Sequence, residues 1–433
     1  MTHPQIGRLR SLAPTTSIVR LQTLARHLAA MPPSHKPPRA LLLLPPVPAP
    51  SSYVALKAAF HAPLCTALKE LARAPRRAQH RAILDIALPC SHLYGQLNAP
   101  RGPLFTPTQS LVADLYKLIC VIAAENSIDT EDAHGVDARV VLVAYPRDGK
   151  LLHPAEDNLP EQETQGPAID LNTLAKSSRP WDTVYSVESE EGEGLLKNFL
   201  VHAKAETFVK RVTGGIVTVE APSTSVAPSA GADEPTNHLS VAVGGTFDHL
   251  HIGHKLLLTM FAFVLGRRSA TDGQEPSVLT IGITGDALLV NKKFAELLES
   301  WGDRQRAVHD FLSSIIYFGQ SDDQARIEEL NEPGPNGHAV HVTYPSKLVI
   351  KYVEISDPFG PTITEESITA LVISLETRSG GSAVNGKRVE KGWASLEVFE
   401  VAVLDASEEE TVDETFQSKL SSTEIRRKRS EGT

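Results

Sequence analysis

Two Rossmann-like α/β domains, each built on a parallel sheet, are predicted for this chain from three observations. Short apolar runs of strand length alternate with segments of helical period in both halves of the sequence. Residues 221–237, Ala-Pro-Ser-Thr-Ser-Val-Ala-Pro-Ser-Ala-Gly-Ala-Asp-Glu-Pro-Thr-Asn, hold too little apolar surface to bury a core and read as a flexible linker between the halves. The glycine-rich segment Gly244 to Lys255 lies where an apolar run, Leu239 to Val243, gives way to an apolar helical stretch, Leu256 to Leu265. In α/β folds that junction is where phosphates bind.

A chain of 433 residues exceeds one ordinary core, since a domain takes roughly 150 residues. With 41% hydrophobic and 22% charged residues the composition is that of a soluble globular protein, and no run reaches the roughly 18 apolar residues of a membrane span. The net charge of -10 argues against a nucleic-acid coat, which needs a basic surface. Cys65, Cys90 and Cys120 are too few and too scattered for a disulfide framework or a thiolate metal site, which fits a reducing compartment.

Residues 1–37 read as a disordered extension. The alternative is a transit peptide, because the chain has eight Lys/Arg and no acid before Glu70, and Ile18, Leu21, Ala25 and Leu28 would share a helical face. Residues 38–220 form an N-terminal α/β domain whose role the sequence does not give. Its strands are expected at Ala40–Leu44, closed by Pro45 and Pro46, then at Ala82–Leu88, Ala138–Ala144 and near Thr183. Helices are expected at 51–74, Thr108–Glu125 and Gly192–Ala205, with a long surface loop from Tyr145 to Pro180. Residues 238–433 form the second domain. There the pattern predicts a strand at Val241, a helix from Ile252, a strand at Val278–Ile283, helices at Asp286–Glu299 and Asp303–Phe318, and a strand at Ala370–Leu375.

The chemistry sits in Gly-Gly-Thr-Phe-Asp-His-Leu-His-Ile-Gly-His-Lys. Gly244, Gly245 and Gly253 let backbone amides approach a triphosphate, and the helix N-terminus adds partial positive charge. Thr246, next to Phe247, can donate its hydroxyl to phosphate. His251 and His254, three apart across a glycine, can donate to oxygens of the α-phosphate as negative charge grows in the transition state. The competing reading is that one of them caps the helix or packs in the core. Near the other end, Ser421-x-x-Glu424 has the form of a capping box.

Gly-Thr-Phe-Asp-x-x-His-x-Gly-His is similar to the signature of the nucleotidyltransferase superfamily, which includes adenylyl- and cytidylyltransferases. Lys419-Leu-Ser-Ser-Thr-Glu-Ile-Arg426 resembles the second signature of the adenylyltransferases rather than the Arg-Thr-Glu-Gly-Ile-Ser-Thr pattern of cytidylyltransferases. With Gly285 to Leu298, Arg304, Asp357-Pro-Phe-Gly-Pro361, Leu371 to Thr377, Gly380-Gly381, Asn385 and Arg388, the segment from 238 to 430 resembles the eukaryotic type of phosphopantetheine adenylyltransferase. The resemblance implies transfer of AMP from ATP to 4'-phosphopantetheine, giving dephospho-coenzyme A and pyrophosphate.

Carried over by motif, His254 stabilises the transition state, Thr246 contacts phosphate, and Lys292 or Lys293 steers the acceptor phosphate. Ser421, Ser422, Thr423 and Arg426 join Gly244, Gly245, Thr246, Phe247, His251, Gly253 and His254 around the nucleotide, and Arg388 is a candidate phosphate clamp. Mg2+ is expected to arrive with ATP, held mainly by triphosphate oxygens, with no protein metal ligand assigned. The bacterial enzyme carries Arg-Gly-Leu-Arg where this chain has Ser374-Leu-Glu-Thr377, so the triphosphate charge must be met differently. A fused kinase is not expected: Gly381-Ser-Ala-Val-Asn-Gly-Lys-Arg388 approaches a phosphate loop, but Arg388 stands where its hydroxyl belongs.

The partners expected are ATP and 4'-phosphopantetheine, with no nucleic acid; association with other coenzyme A pathway enzymes stays open. A cytoplasmic location is expected, with mitochondrial import or nuclear import through Arg426-Arg-Lys-Arg429 as alternatives. Two rival functions are kept: adenylyl transfer to another acceptor such as nicotinamide mononucleotide, and an inactive scaffold of the pathway.

Overall fold

The computed structural model describes residues 37–74, 81–131, 135–151, 163–203, 207–216, 235–269, 275–319, 325–402, 404 and 421–431. The expected extension, most of the linker and the acidic run Glu408–Glu410 lie outside them.

The first sheet is wholly parallel. Its strands are β1 (Arg39–Leu43), β2 (Ala82–Cys90), β3 (Val136–Ala144), β4 (Ala168–Asp170), β5 (Thr183–Glu188) and β6 (Val209–Thr213), in the spatial order β4-β3-β2-β1-β5-β6. Their near-continuous Leu, Ile, Val and Ala runs are explained by burial on both faces. The crossovers are helices α1 (Tyr53–Arg73), α2 (Gly102–Glu125), α3 (Leu171–Lys176) and α4 (Glu190–Leu200). Ser52, Asp170 and Ser189 cap α1, α3 and α4 by accepting from backbone amides. The surface loop expected from Tyr145 to Pro180 is corrected at 168–176, where β4 and α3 form. Periodicity could not find them, because a strand of three residues and a helix of six carry less than two turns of pattern.

The second sheet holds β7 (Ser240–Gly245), β8 (Ser277–Thr284), β9 (Arg326–Asn331), β10 (His338–Thr343), β11 (Leu348–Ile355), β12 (Ala370–Ser374) and β13 (Glu397–Val401), ordered β13-β12-β7-β8-β11-β10-β9. The five strands from β13 to β11 pair in parallel, and β10 and β9 add an antiparallel edge. Helices α5 (Ile252–Val264), α6 (Trp301–Ile316), α7 (Arg378–Glu390) and α8 (Ser422–Ser430) complete the domain. In place of a helix over Asp286–Glu299 there are two 3-10 turns, Asp286–Leu288 and Ala295–Leu297, separated by a left-handed Phe294 at φ 56°. The segment approaching a phosphate loop is instead the body of α7.

In each sheet the strand order reverses at the first strand. β1 lies between β2 and β5, and β7 between β8 and β12. Such a switch point leaves a crevice at the carboxyl ends of the strands. The Gly244-Gly245 turn therefore opens onto the crevice of the second sheet.

The two sheets are not independent bodies. One apolar core runs through both, uniting α2 residues such as Leu111 and Leu115 with α5 residues such as Leu257 and Phe261. Phe105 meets Phe399 with ring centroids 5.0 Å apart, and the backbone of Thr164 and Gly166 pairs with Phe318 and Ile316 beyond the end of α6. Lys255 on α5 is 1% exposed and places Nζ 2.6 Å from Asp137 Oδ1 on β3.

Candidate active site

Residues 244–254 make a tight cradle. A Cβ on Gly245 would lie 2.9 Å from the Phe247 ring, so only glycine fits there. Phe247 and His249 hold left-handed backbones, at φ 53° and 46°, and between them the Asp248 side chain is fully buried. Its Oδ1 accepts from the Glu299 amide at 2.9 Å, and its Oδ2 pairs with Arg426.

His251 is the N-cap of α5, and its Nδ1 accepts from the His254 amide at 3.4 Å. An accepting Nδ1 puts the proton of a neutral imidazole on Nε2, which leaves Nε2 a donor. The two rings stack with centroids 3.8 Å apart and an interplanar angle of 19°. Burial and then the neighbouring His254 pull His251 well below the usual imidazole range, and burial pulls His254 down to about 4. Both rings are therefore neutral near pH 7. His254 Nδ1 is buried without a hydrogen-bond partner in the protein. The cap expected as the competing reading exists, and it orients the pair at the helix N-terminus.

The second motif docks on the same turn. Ser422 Oγ donates to the Asp248 carbonyl at 2.7 Å, bringing the start of α8 to the cradle. Arg426, 2% exposed, ties Asp248, the Lys293 carbonyl and Thr423 Oγ1 together. Its guanidinium thus joins the two motifs from inside. Ser421 makes no side-chain cap, and Glu424 pairs with Arg427, so the capping box expected from spacing does not form.

Lys292 and Lys293 are both exposed on the irregular segment after β8, which gives either ammonium the freedom to reach a ligand. Arg388 must be corrected. It is 1% exposed and donates to five carbonyls, those of Ala394, Thr362, Glu365, Glu366 and Ile368. All five of its N–H groups are engaged, so it clamps the 362–368 loop against α7 instead of a phosphate. Asn385 is likewise structural, exchanging two hydrogen bonds with the Leu396 backbone.

A cavity of about 370 Å3 opens beside Gly244 and Gly245 at the carboxyl ends of the strands. Its walls are mostly apolar, with Leu288, Ile355, Phe359 and Ile373, and a few polar groups from Thr284 and Asp357. Asp357 Oδ1 accepts from the amides of Phe359 and Gly360 and so shapes one wall. Sequence reasoning did not find the role of Arg304. Fully buried, it donates to the carbonyls of Thr246, Thr284 and Glu299 and to Asp286, locking the Gly-Gly-Thr turn to the end of β8. A buried arginine serving carbonyls leaves no mark in periodicity or spacing.

Residues 30–218 match a family model described as "Domain of unknown function (DUF8446)". The chain is 35% identical over 190 residues to an uncharacterized protein of Schizosaccharomyces pombe, covering 44% of this chain and 48% of that one. It is 39% identical over 186 residues to a phosphopantetheine adenylyltransferase of Saccharomyces cerevisiae, covering 43% and 47% respectively. These matches span about half the length of those two relatives. A phosphopantetheine adenylyltransferase of Pyrobaculum aerophilum is 30% identical over 189 residues, 43% of this chain and 90% of the relative. The chain belongs to the phosphopantetheine adenylyltransferase family.

For a phosphopantetheine adenylyltransferase relative, the donor set for a metal is a pertinent question. Among the described residues, Asp248, His249 and Glu299 bring possible ligand atoms within 4.8 Å of one another. Asp248 is held by Arg426 and the Glu299 amide, His249 Nε2 lies 2.9 Å from the Leu297 carbonyl, and Glu299 accepts from the His249 amide. With Asp248 already paired with Arg426 and His249 Nε2 with a carbonyl, and with an imidazole that magnesium does not favour, the trio does not fit a magnesium cage. Among the described residues no helix is long and apolar enough to cross a membrane.

Proposed function

We propose that the chain transfers AMP from ATP to 4'-phosphopantetheine, giving dephospho-coenzyme A and pyrophosphate. The observation that carries this reading is the stacked, neutral His251–His254 pair at the N-terminus of α5, beside Gly244-Gly245-Thr246 and joined to the second motif through Asp248. Neutral imidazoles donate hydrogen bonds to the α-phosphate without first losing a proton. With the helix N-terminus they stabilise charge that grows during transfer. The names of the Saccharomyces and Pyrobaculum relatives support the choice of acceptor. So does the cavity beside Gly244, whose apolar walls and few polar groups suit a long, amide-bearing arm.

In this reaction an acceptor phosphate oxygen attacks the α-phosphorus of ATP. A new P–O bond forms as the bond to the β-phosphate oxygen breaks, and pyrophosphate leaves with that electron pair. No protein nucleophile is needed, so positioning and electrostatics carry the rate. Thr246 and Lys292 or Lys293 hold the acceptor phosphate, and the amides of Gly244, Gly245 and Gly253 with the hydroxyls of Ser421, Ser422 and Thr423 surround the nucleotide. Mg2+ enters with the triphosphate.

Incubation of the full chain with ATP and each acceptor in turn tests the proposal. Dephospho-coenzyme A and pyrophosphate are expected in equal amounts. Turnover of nicotinamide mononucleotide in their place, or no turnover of any acceptor, would overturn it. His254→Ala should lower kcat by roughly a hundred- to a thousandfold with the unfolding midpoint nearly unchanged; unaltered turnover removes His254 from the mechanism.

A further inference from the structure

The seam between the two sheets carries a second cavity, of about 380 Å3. Arg39 at the start of β1, Arg139 on β3 and Arg179 ahead of β5 line one side, and Ser313, Ser314 and Tyr317 at the end of α6 line the other. Arg39 begins β1 and Arg179 precedes β5, so the cavity opens at the amino edge of the first sheet. The Gly244 crevice lies at the carboxyl edge of the second, so the two are separate sites.

Cations outnumber acids around it. Asp85, buried on β2, faces Arg39 at 3.1 Å and Arg179 at 3.5 Å. Asp137 faces Arg139 at 2.6 Å and Lys255 at 2.6 Å. Four cations thus share two buried carboxylates. Asp310 at the rim is the third acid, and burial pushes its carboxyl upward, towards the neutral form. Arg179 also caps α6, donating to the carbonyls of Ser314 and Tyr317. Burial pulls its guanidinium down to about 10 with Asp85 opposing the shift, whereas Arg139 moves up because Asp137 and Asp85 outweigh its burial.

We propose that this interdomain cavity binds a phosphate-bearing small molecule through Arg39, Arg139 and Arg179. The pairings with Asp85 and Asp137 use Nε and Nη2 of Arg39 and Arg139, which leaves both Nη1 groups for an oxyanion with several acceptor oxygens and more than one charge, as a phosphate supplies and a single carboxylate does not, while Arg179 adds its charge from its place beside Asp85. The cavity is larger than a bare phosphate needs, and the Tyr317 ring offers a face for an attached organic group. Binding here does not rest on the adenylyl-transfer reading.

Isothermal titration of the full chain with pyrophosphate, and separately with inorganic phosphate, tests this. Besides any product site at the Gly244 cradle, a site is expected that Arg39→Gln and Ser313→Glu each weaken at least tenfold and that His254→Ala leaves intact. Ser313→Glu places a carboxylate in the cavity while keeping every arginine pair, so it answers the question even where Arg39→Gln does not fold. Wild type and Ser313→Glu titrating alike, or a wild-type chain that takes up neither anion, would overturn the proposal. Citrate binding as tightly as pyrophosphate would overturn the assignment of ligand class.

Discussion

Replacing Asp137 and Lys255 should have unequal effects, because their partners are unequal. Lys255 has one carboxylate, Asp137, with the Ala138 carbonyl at 3.3 Å as its other neighbour. Asp137 also receives Arg139 twice, from Nε at 2.9 Å and Nη2 at 2.6 Å. Burial alone would raise the Asp137 carboxyl, yet Arg139 and then Lys255 hold it well below the usual carboxylate range. Asp137→Ala strands two buried cations at once, and removing one partner of a buried pair costs about 3–5 kcal/mol, so a loss near the upper end is expected. Lys255→Met keeps the volume, removes the stranded charge and leaves Asp137 with Arg139, so at most about 2 kcal/mol is expected. The double variant should recover about half of what Asp137→Ala loses, since its only orphaned cation is Arg139. Urea unfolding followed by tryptophan fluorescence checks all three, with Trp181 in the first domain and Trp301 and Trp393 in the second. Coincident transitions by tryptophan fluorescence and by far-UV circular dichroism should accompany the wild type, because one core spans both sheets. Lys255→Met proving as damaging as Asp137→Ala would refute the claim that Asp137 is shared between Lys255 and Arg139.

Arg388→Gln should cost about 3 kcal/mol of stability through orphaned carbonyls while the KM for ATP and acceptor stays within twofold; a tenfold rise in KM without loss of stability would restore Arg388 as a ligand residue. Gly245→Ala drives a methyl into Phe247, whose ring lies 5.5 Å from that of His254, and should reduce kcat by about ten- to a hundredfold with little change in the KM for ATP. His251 and His254 are neutral in the fold and protonated in the unfolded chain below about 6.5, so stability is full above that pH and lost as pH falls towards their lowered folded values, about 4 for His254. The His254 share of that loss is about 3 kcal/mol by pH 4, measured as the shift in urea midpoint between pH 7.5 and pH 4.5; a His254→Asn variant with the wild-type pH slope would contradict the burial argument.

The strand and helix alternation was legible because both sheets are mainly parallel and buried on both faces, which writes unbroken apolar runs such as Leu41 to Leu44 and Val140 to Val143. The edge strand β9 was not, since its Arg-Ile-Glu-Glu-Leu-Asn is largely exposed and carries no apolar run. Glycines and histidines of the cradle could be read because their chemistry constrains adjacent residues. The roles of Arg304 and Arg388 could not, because most of their partners are carbonyls 20 or more residues away and any residue supplies a carbonyl. The same holds for Lys255. Next to His254 it resembles another site residue, and only the fold shows its ammonium turned towards the other domain.

Arg304, Arg388 and Arg426 are 0, 1 and 2% exposed, and each holds protein groups around the site together. Arg304 fixes the Thr246 turn to β8, Arg426 fixes that turn to α8, and Arg388 fixes the loop behind the cavity. Arg388, with all five donors on carbonyls, cannot meet a triphosphate without dropping some of them, which is costly in a buried setting. Under the proposed function the charge of the nucleotide would fall to groups that are preorganised but uncharged, namely backbone amides, the two neutral imidazoles and the start of α8, with the exposed Lys292 and Lys293 as the cations. A site built this way has no fixed positive charge to reorganise as the α-phosphate reacts, and its dipoles are already aimed by the buried frame.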